Sequence, residues 1–210
     1  IRKLEAAIGK ALLVRSHART VPTSDGSRFL PYARALVRTE VRARQCFTDH
    51  RLVVAASTNI GTYLLPRLMK TYATLSTSIE LEPMVGTNLQ TIQSVETGVA
   101  DIGLMEWWDD RPGFNAKVWG REALVVIVSA AHPWARRGSV SREDLFDEPM
   151  IGGEPGTGTG TILHQAFGRS AKRLKIAYSV GSTAAVKEAV KADLGISIVM
   201  ASSVADDVRN

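Results

Sequence analysis

The chain has 210 residues, 45% of them hydrophobic and 22% charged, the composition of a folded protein with one or two cored domains. A single cysteine, Cys46, excludes an intrachain disulfide and a cysteine-based metal site. No apolar run reaches membrane-spanning length and the first residues carry no apolar signal-peptide core, so a cytoplasmic protein with no membrane partner is expected.

The net charge of +5 is uneven: residues 1–50 hold ten Lys and Arg against four Asp and Glu, whereas residues 51–210 hold sixteen against seventeen. A basic end on a near-neutral body points to a polyanion at that end only, nucleic acid or an anionic membrane; a solvated basic helix face is the competing reading. The chain starts without Met and in mid-pattern, as a trimmed chain would.

Ile1, Leu4 and Ile8 mark one face of a short helix that Gly9 would cap. Leu12-Leu13-Val14 reads as a short strand, residues 16–18 as a turn, and Thr20-Val21 as a segment able to pair back. Thr23 or Ser24 supplies an N-cap for a helix over 24–47. Leu30, Ala33 and Val37 form one apolar stripe on it, and Phe29, Tyr32 and Leu36 another. A helix of that length needs a partner for its stripe, which suggests dimerisation.

From Leu52 the body alternates. Strand Leu52–Ala56 leads through the polar turn Ser57–Gly61 into a helix over 63–75, with Leu64, Leu65, Leu68, Met69 and Tyr72 inward. Strand 79–85 follows, then a helix capped at Gly86-Thr87-Asn88 with Leu89, Ile92 and Val95 buried, and strand 101–105. This β-α-β-α-β order predicts a parallel sheet with right-handed crossovers. A second unit of similar size follows: strand 123–129, short helix 140–145, strand 149–153, a Gly/Thr loop over 154–161, helix 162–169, strand 176–180, helix 183–192 and strand 195–200. Two α/β lobes would place a ligand cleft at the strand C-termini, where helix N-termini gather.

Three polar turns would meet in that cleft: Ser57, Thr58 and Asn59; Thr87 and Asn88; Thr157 and Thr159. Helix N-termini with hydroxyls suit a carboxylate, sulfate or phosphate; any one of these residues alone reads better as an ordinary N-cap, so the expectation rests on three such turns facing one cleft. Glu106, Trp107 and Trp108 follow the third strand at the cleft mouth, where a tryptophan stacks on ligand or packs between lobes. Ser182 and Thr183 line the other wall. Gly156-x-Gly158-x-Gly160 lacks the Lys-Ser/Thr of a nucleotide triphosphate loop and the spacing of a dinucleotide loop, so no nucleotide and no cofactor is expected. His17, His50, His132 and His164 form no i, i+4 metal pair, and no catalytic set stands out.

Ile1-Arg2-Lys3-Leu4-Glu5-x-x-Ile8-Gly9, Leu12-Leu13-x-Arg15, Arg19 and Thr23-x-x-Gly26 resemble the end of a winged helix-turn-helix in the LysR-type transcriptional regulators. The resemblance continues through Ala56-Ser57-Thr58, Leu65-Pro66, Gly98-x-x-Asp101-Ile102-Gly103-Leu104, His132-Pro133, Glu154-Pro155-Gly156-Thr157-Gly158-Thr159 and Gly195-Ile196-Ser197-Ile198. It implies a partial winged domain (1–23), a linker and dimerisation helix (24–50) and a two-lobed α/β effector domain (51–122 and 123–210), of the type 2 periplasmic-binding-protein-like fold. Arg2 and Lys3 would lie near DNA at the end of the recognition helix, and Arg15, His17 and Arg19 would meet phosphates from the wing, which position the protein rather than read sequence.

By the same resemblance the family's first helices would precede Ile1, a segment crossing back to the first lobe would follow Asn210, and Gly160 stands where the family usually has Arg. The segment 55–66 with Gly86-Thr87-Asn88 resembles the branch governing carbon fixation or sulfur and cysteine metabolism. The expected partners are promoter double-stranded DNA, a small anionic metabolite and further copies of the chain as dimer or tetramer. The alternative is a solute-binding protein of a transporter, which would need an export signal and no basic winged segment.

Overall fold

The first four elements form a small basic unit. The computed structural model describes residues 1–15, 19–45, 51–75, 78–111, 113–153 and 156–207. Helix α1 (Arg2–Ile8) ends at Gly9, whose φ of 72° is the left-handed cap conformation that glycine adopts without strain. Strand β1 (Leu13–Arg15) pairs antiparallel with β2 (Thr20–Pro22), aligning Arg15 with Thr20. Helix α2 (Ser24–Gln45) follows. Its start is capped by Thr23, whose Oγ1 accepts from Gly26 N–H at 2.8 Å and donates to the Ala11 carbonyl at 2.7 Å. The expected end of this helix, 46–47, lies outside the described residues. Leu30, Tyr32, Leu36, Val37 and Val41 remain exposed along α2, an apolar face left uncovered by the described residues.

The first lobe is the predicted parallel sheet. Strands β3 (Arg51–Ser57), β4 (Glu80–Gly86) and β5 (Ile102–Leu104) lie in the order β4-β3-β5, all parallel. Pro83 falls in β4, at the sheet edge, where a missing N–H is tolerated. The connection after β3 differs from the expected polar turn. A π-helical turn (Ile60–Leu64) begins almost at once and runs into α3 (Leu65–Leu75). Leu65 N–H bonds five residues back to the Ile60 carbonyl. Pro66 explains this, because it has no N–H and its ring would crowd the carbonyl four residues earlier in an ordinary α-turn. Helix α4 (Asn88–Glu96) carries a reciprocal capping box: Thr87 accepts from Gln90 N–H, and the Gln90 side chain accepts from Thr87 N–H. Its buried face is Asn88, Thr91 and Ile92; Leu89, expected inside, is 51% exposed, as is Leu68 of α3 at 39%.

The second lobe is mixed. Strand β6 (Leu124–Ile127) runs antiparallel to β9 (Ser197–Met200), and β7 (Pro149–Gly152) parallel to β8 (Lys175–Ser179). Ile151 N–H to Ile196 O and Ile196 N–H to Pro149 O join β7 to the start of β9. Three corrections arise here. The helix expected over 140–145 is a 3-10 turn, Asp144–Phe146. Helix α5 (Gly158–Phe167) starts inside the Gly/Thr loop rather than at 162, because Thr157 caps it by accepting from Gly160 N–H. Past Gly168 the chain continues as a 3-10 turn to Arg173. Helix α6 (Thr183–Lys191) starts where predicted, capped by Ser182 accepting from Ala185 N–H at 3.1 Å.

Each lobe has its own core. Val54, Ala56, Ile60 and Leu65 centre the first. In the second, Ile151, Val186, Val190, Val199 and Val204 fill one cluster, and Leu145, Met150 and Ile196 another. Separate cores of this kind let two lobes shift relative to each other without unpacking either. Among the described residues no helix is long and apolar enough to cross a membrane.

Candidate functional site

At the basic end, Arg2 and Lys3 stand exposed on α1, Arg15 at the end of β1 and Arg19 just before β2. His17 lies outside the described residues. Helix and hairpin are tied together by Glu5, whose Oε1 accepts from Leu12 N–H at 2.8 Å and Leu13 N–H at 3.1 Å. These two backbone donors hold its carboxyl below the usual carboxylate range. A depressed folded pKa contributes stability above the ordinary glutamate value and loses it as pH falls through the folded value. We therefore expect the melting temperature of the protein to decline below about pH 4.3, and Glu5→Gln to flatten that decline in a melting series from pH 7 to pH 3.

The body holds a cavity of about 760 Å³. Thr58 and Asn59 line it from the first lobe. Thr157, Thr159, Thr161, Ser182 and Thr183, with Ser179, His164 and Gln165, line it from the second. Of the predicted residues, Thr58, Asn59, Thr157, Thr159 and Ser182 thus come together. No lysine or arginine is among the described lining residues. The polarity of the cavity comes from hydroxyls, amides and the first turns of α5 and α6, whose leading N–H groups have no acceptor inside their own helices.

Asn59 joins the two lobes. Its Nδ2 donates to Thr159 Oγ1 at 3.2 Å, and its Oδ1 accepts from the Thr183 hydroxyl at 2.6 Å. Asn59 is 5% exposed and already helical in φ and ψ, so it is not an N-cap; its side chain is turned wholly to the second lobe. Thr58 donates to the Gly86 carbonyl at 3.0 Å, bracing the ends of β3 and β4. Thr157 and Ser182 cap their own helices while lining the cavity.

The other predicted residues fall behind or beside this cavity. Ser57 is buried at the end of β3, Thr87 is engaged in its capping box, and Asn88 is buried with Nδ2 donating to the Trp107 carbonyl at 3.0 Å. Trp107 lines a separate hollow of about 820 Å³, together with Ile102 and Leu104 of β5, Phe114 and Trp119. Trp108 packs edge-on against Phe114, with ring centroids 5.7 Å apart. Ser179, Thr161 and Gln165 were not singled out from sequence; Ser179 ends a strand, the position where ligands gather in α/β sheets, and that was the available signal. A second contact between the lobes sets Lys187 5.4 Å from the Tyr63 ring centroid, while its Nζ donates to Ser203 O and pairs with Asp207, both at 2.8 Å. Lys187 and Lys191 hold the Asp207 carboxyl below its usual range.

Residues 48–210 match the family described as "LysR substrate binding domain". The chain is 38% identical over 160 residues to PtxE of Stutzerimonas stutzeri, covering 76% of this chain and 82% of that protein. It is 28% identical over 214 residues to the HTH-type transcriptional regulator CysL of Bacillus subtilis, covering 99% and 72%. The regulatory domain of CcmR from Synechocystis PCC6803, solved in complex with 2-PG, superposes with a TM-score of 0.67 at 25% identity, covering 73% of this chain and 74% of that one. These relatives are regulators rather than transport proteins, in keeping with the basic helix and hairpin that precede the matched lobes. The chain belongs to the LysR family of transcriptional regulators.

Proposed function

We propose that this regulator binds a small anionic metabolite between its lobes, and that the metabolite shifts the arrangement in which bound copies hold promoter DNA. The observation that carries the reading is the junction at Asn59, where one first-lobe side chain is bonded to the first turns of two second-lobe helices beside a cavity lined by hydroxyls. Helix N-termini favour negative charge and hydroxyls fix its orientation. The ligand must bind one arrangement better than the other to shift anything. The effector residues are then Thr58, Asn59, Thr157, Thr159 and Ser182, with Ser57, Thr87, Asn88 and Trp107 around them.

We place the DNA contacts on Arg2, Lys3, Arg15, His17 and Arg19, and the division of the chain at 1–23, 24–50, 51–122 and 123–210. The exposed apolar face of α2 supports dimerisation through that helix. The names of the relatives support a binding protein rather than an enzyme, working in the cytoplasm where its DNA lies. A gel shift with promoter DNA tests the nucleic-acid half: full-length protein should give a sequence-preferring shift that weakens steeply with salt. Arg15→Ala should weaken all sequences alike and reduce the log–log salt slope by about one. A shift with no sequence preference would contradict the reading.

A further inference from the structure

The cavity has two ends of different character. Strands β7 and β8 run parallel, so their C-terminal ends, at Gly152 and Ser179, lie side by side and feed the starts of α5 and α6. Their N-terminal ends carry Met150 and Ile176, which are aligned in register. All four residues line the cavity. It therefore runs back along the strands from Gly152 and Ser179 to Met150 and Ile176, about 7–10 Å at the rise of a β-strand. Leu163, about 7 Å into α5, and Leu174, next to the start of β8, line it as well. Hydroxyls from Thr157, Ser182 and Thr183 thus stand at one end, and hydrocarbon stands at the other. His164 and Gln165, the polar neighbours of Leu163, are exposed.

The apolar end is not closed by the fold. Ile176 is 53% exposed, and Leu163 and Leu174 are half-buried. Apolar surface left against water is unfavourable in proportion to its area, so a hydrocarbon group that covers it gains affinity. The volume points the same way. The cavity measures about 760 Å³, whereas one water takes about 30 Å³ in the liquid. An inorganic oxyanion, with the bulk of a few waters, would fill the space at the helix starts and leave the apolar wall wet. We propose that the effector is an anionic amphiphile: its oxyanion group sits at the starts of α5 and α6, and a hydrocarbon body lies against Leu163, Leu174 and Ile176. This rests on the anion reading above and specifies the part of the ligand which that reading leaves open.

Butyrate and heptanoate are matched probes, since they share the carboxylate and differ only in hydrocarbon length. Isothermal titration calorimetry on the 210-residue chain reads their affinities directly. Each methylene moved from water onto an apolar wall is worth up to about fourfold in affinity. The wild type should bind heptanoate about tenfold or more tightly than butyrate. Heptan-1-ol, the same chain without the charge, should bind more weakly than heptanoate. Ala171 lines the cavity on the turn that leads back to β8. Ala171→Trp should fill the apolar end and bring the heptanoate-to-butyrate ratio close to one. Ile176→Ser, at an exposed position of β8, should lower the ratio severalfold and covers the case in which the first variant fails to fold.

Equal binding of the two carboxylates by the wild type, or a preference unchanged in the folded variants, would overturn the apolar end of the site. In that event weakening of both carboxylates by Thr183→Val would leave the anion reading standing. Binding of heptan-1-ol as tight as that of heptanoate, or of neither carboxylate, would overturn the anion reading and the amphiphile with it.

Discussion

Gly26→Ala is expected to separate the hairpin from the long helix and to abolish specific DNA binding while leaving the two lobes folded. The methyl group would be placed 1.9 Å from the Leu12 carbonyl oxygen and 2.9 Å from its carbon, both backbone atoms that no side-chain rotation can move. The junction around them is tight for a reason: Thr23 N–H donates to Leu12 O at 3.0 Å, while the Thr23 hydroxyl bridges the Ala11 carbonyl and the Gly26 N–H. Relieving the clash breaks this set of bonds and the helix cap with it. Overpacking of this kind costs typically about 1–3 kcal/mol, and cap loss about 1 kcal/mol more. Gel shift should show loss of affinity for promoter DNA by the variant, and ligand binding by the lobes should be unchanged. Full DNA affinity in Gly26→Ala would show that the hairpin is not held from this junction.

The second large effect is expected at Asn59. Asn59→Ala removes both bonds from the first lobe to the helix starts of the second, and strands the Thr159 and Thr183 hydroxyls in a part-buried site. Two neutral hydrogen bonds and their abandoned partners amount to about 1–3 kcal/mol. We expect a lower melting temperature and a fall of roughly tenfold to a hundredfold in affinity for the anion, the ratio that such an energy sets. Thr74→Ala is the matched control. It removes an exposed hydroxyl bonded to its own helix, and both properties should stay within error of the wild type.

Much of this molecule is legible in the sequence because it is local. The parallel pairing of β3, β4 and β5 follows from apolar runs alternating with helical periods, and Thr87 announces a helix start by residue type. Where local rules conflict, the sequence misleads. Gly158 and Gly160 look like breakers, which delays the expected start of α5, yet the Thr157 cap overrides their weak helix propensity. Leu89 looks like core, but α4 turns Asn88 and Thr91 inward instead and satisfies Asn88 through Trp107.

Long-range partners carry no local signal at all. The antiparallel pairing of β6 with β9 closes across most of the second lobe. Asn59 finds its partners 100 and 124 positions along the chain. Its residue type suits a helix cap, and only the packed lobes show that it serves as the bridge.

The most direct test of the account is a thermal-shift titration of the protein against a panel of carboxylate, sulfate and phosphate metabolites, with neutral and cationic compounds alongside. A ligand that binds only the folded state adds about 2.7 kcal/mol at a hundredfold excess over its Kd. At least one anion should raise the melting temperature progressively with concentration in this way, and the neutral and cationic compounds should not. Stabilisation by neutral or cationic compounds with no response to any anion would contradict the account.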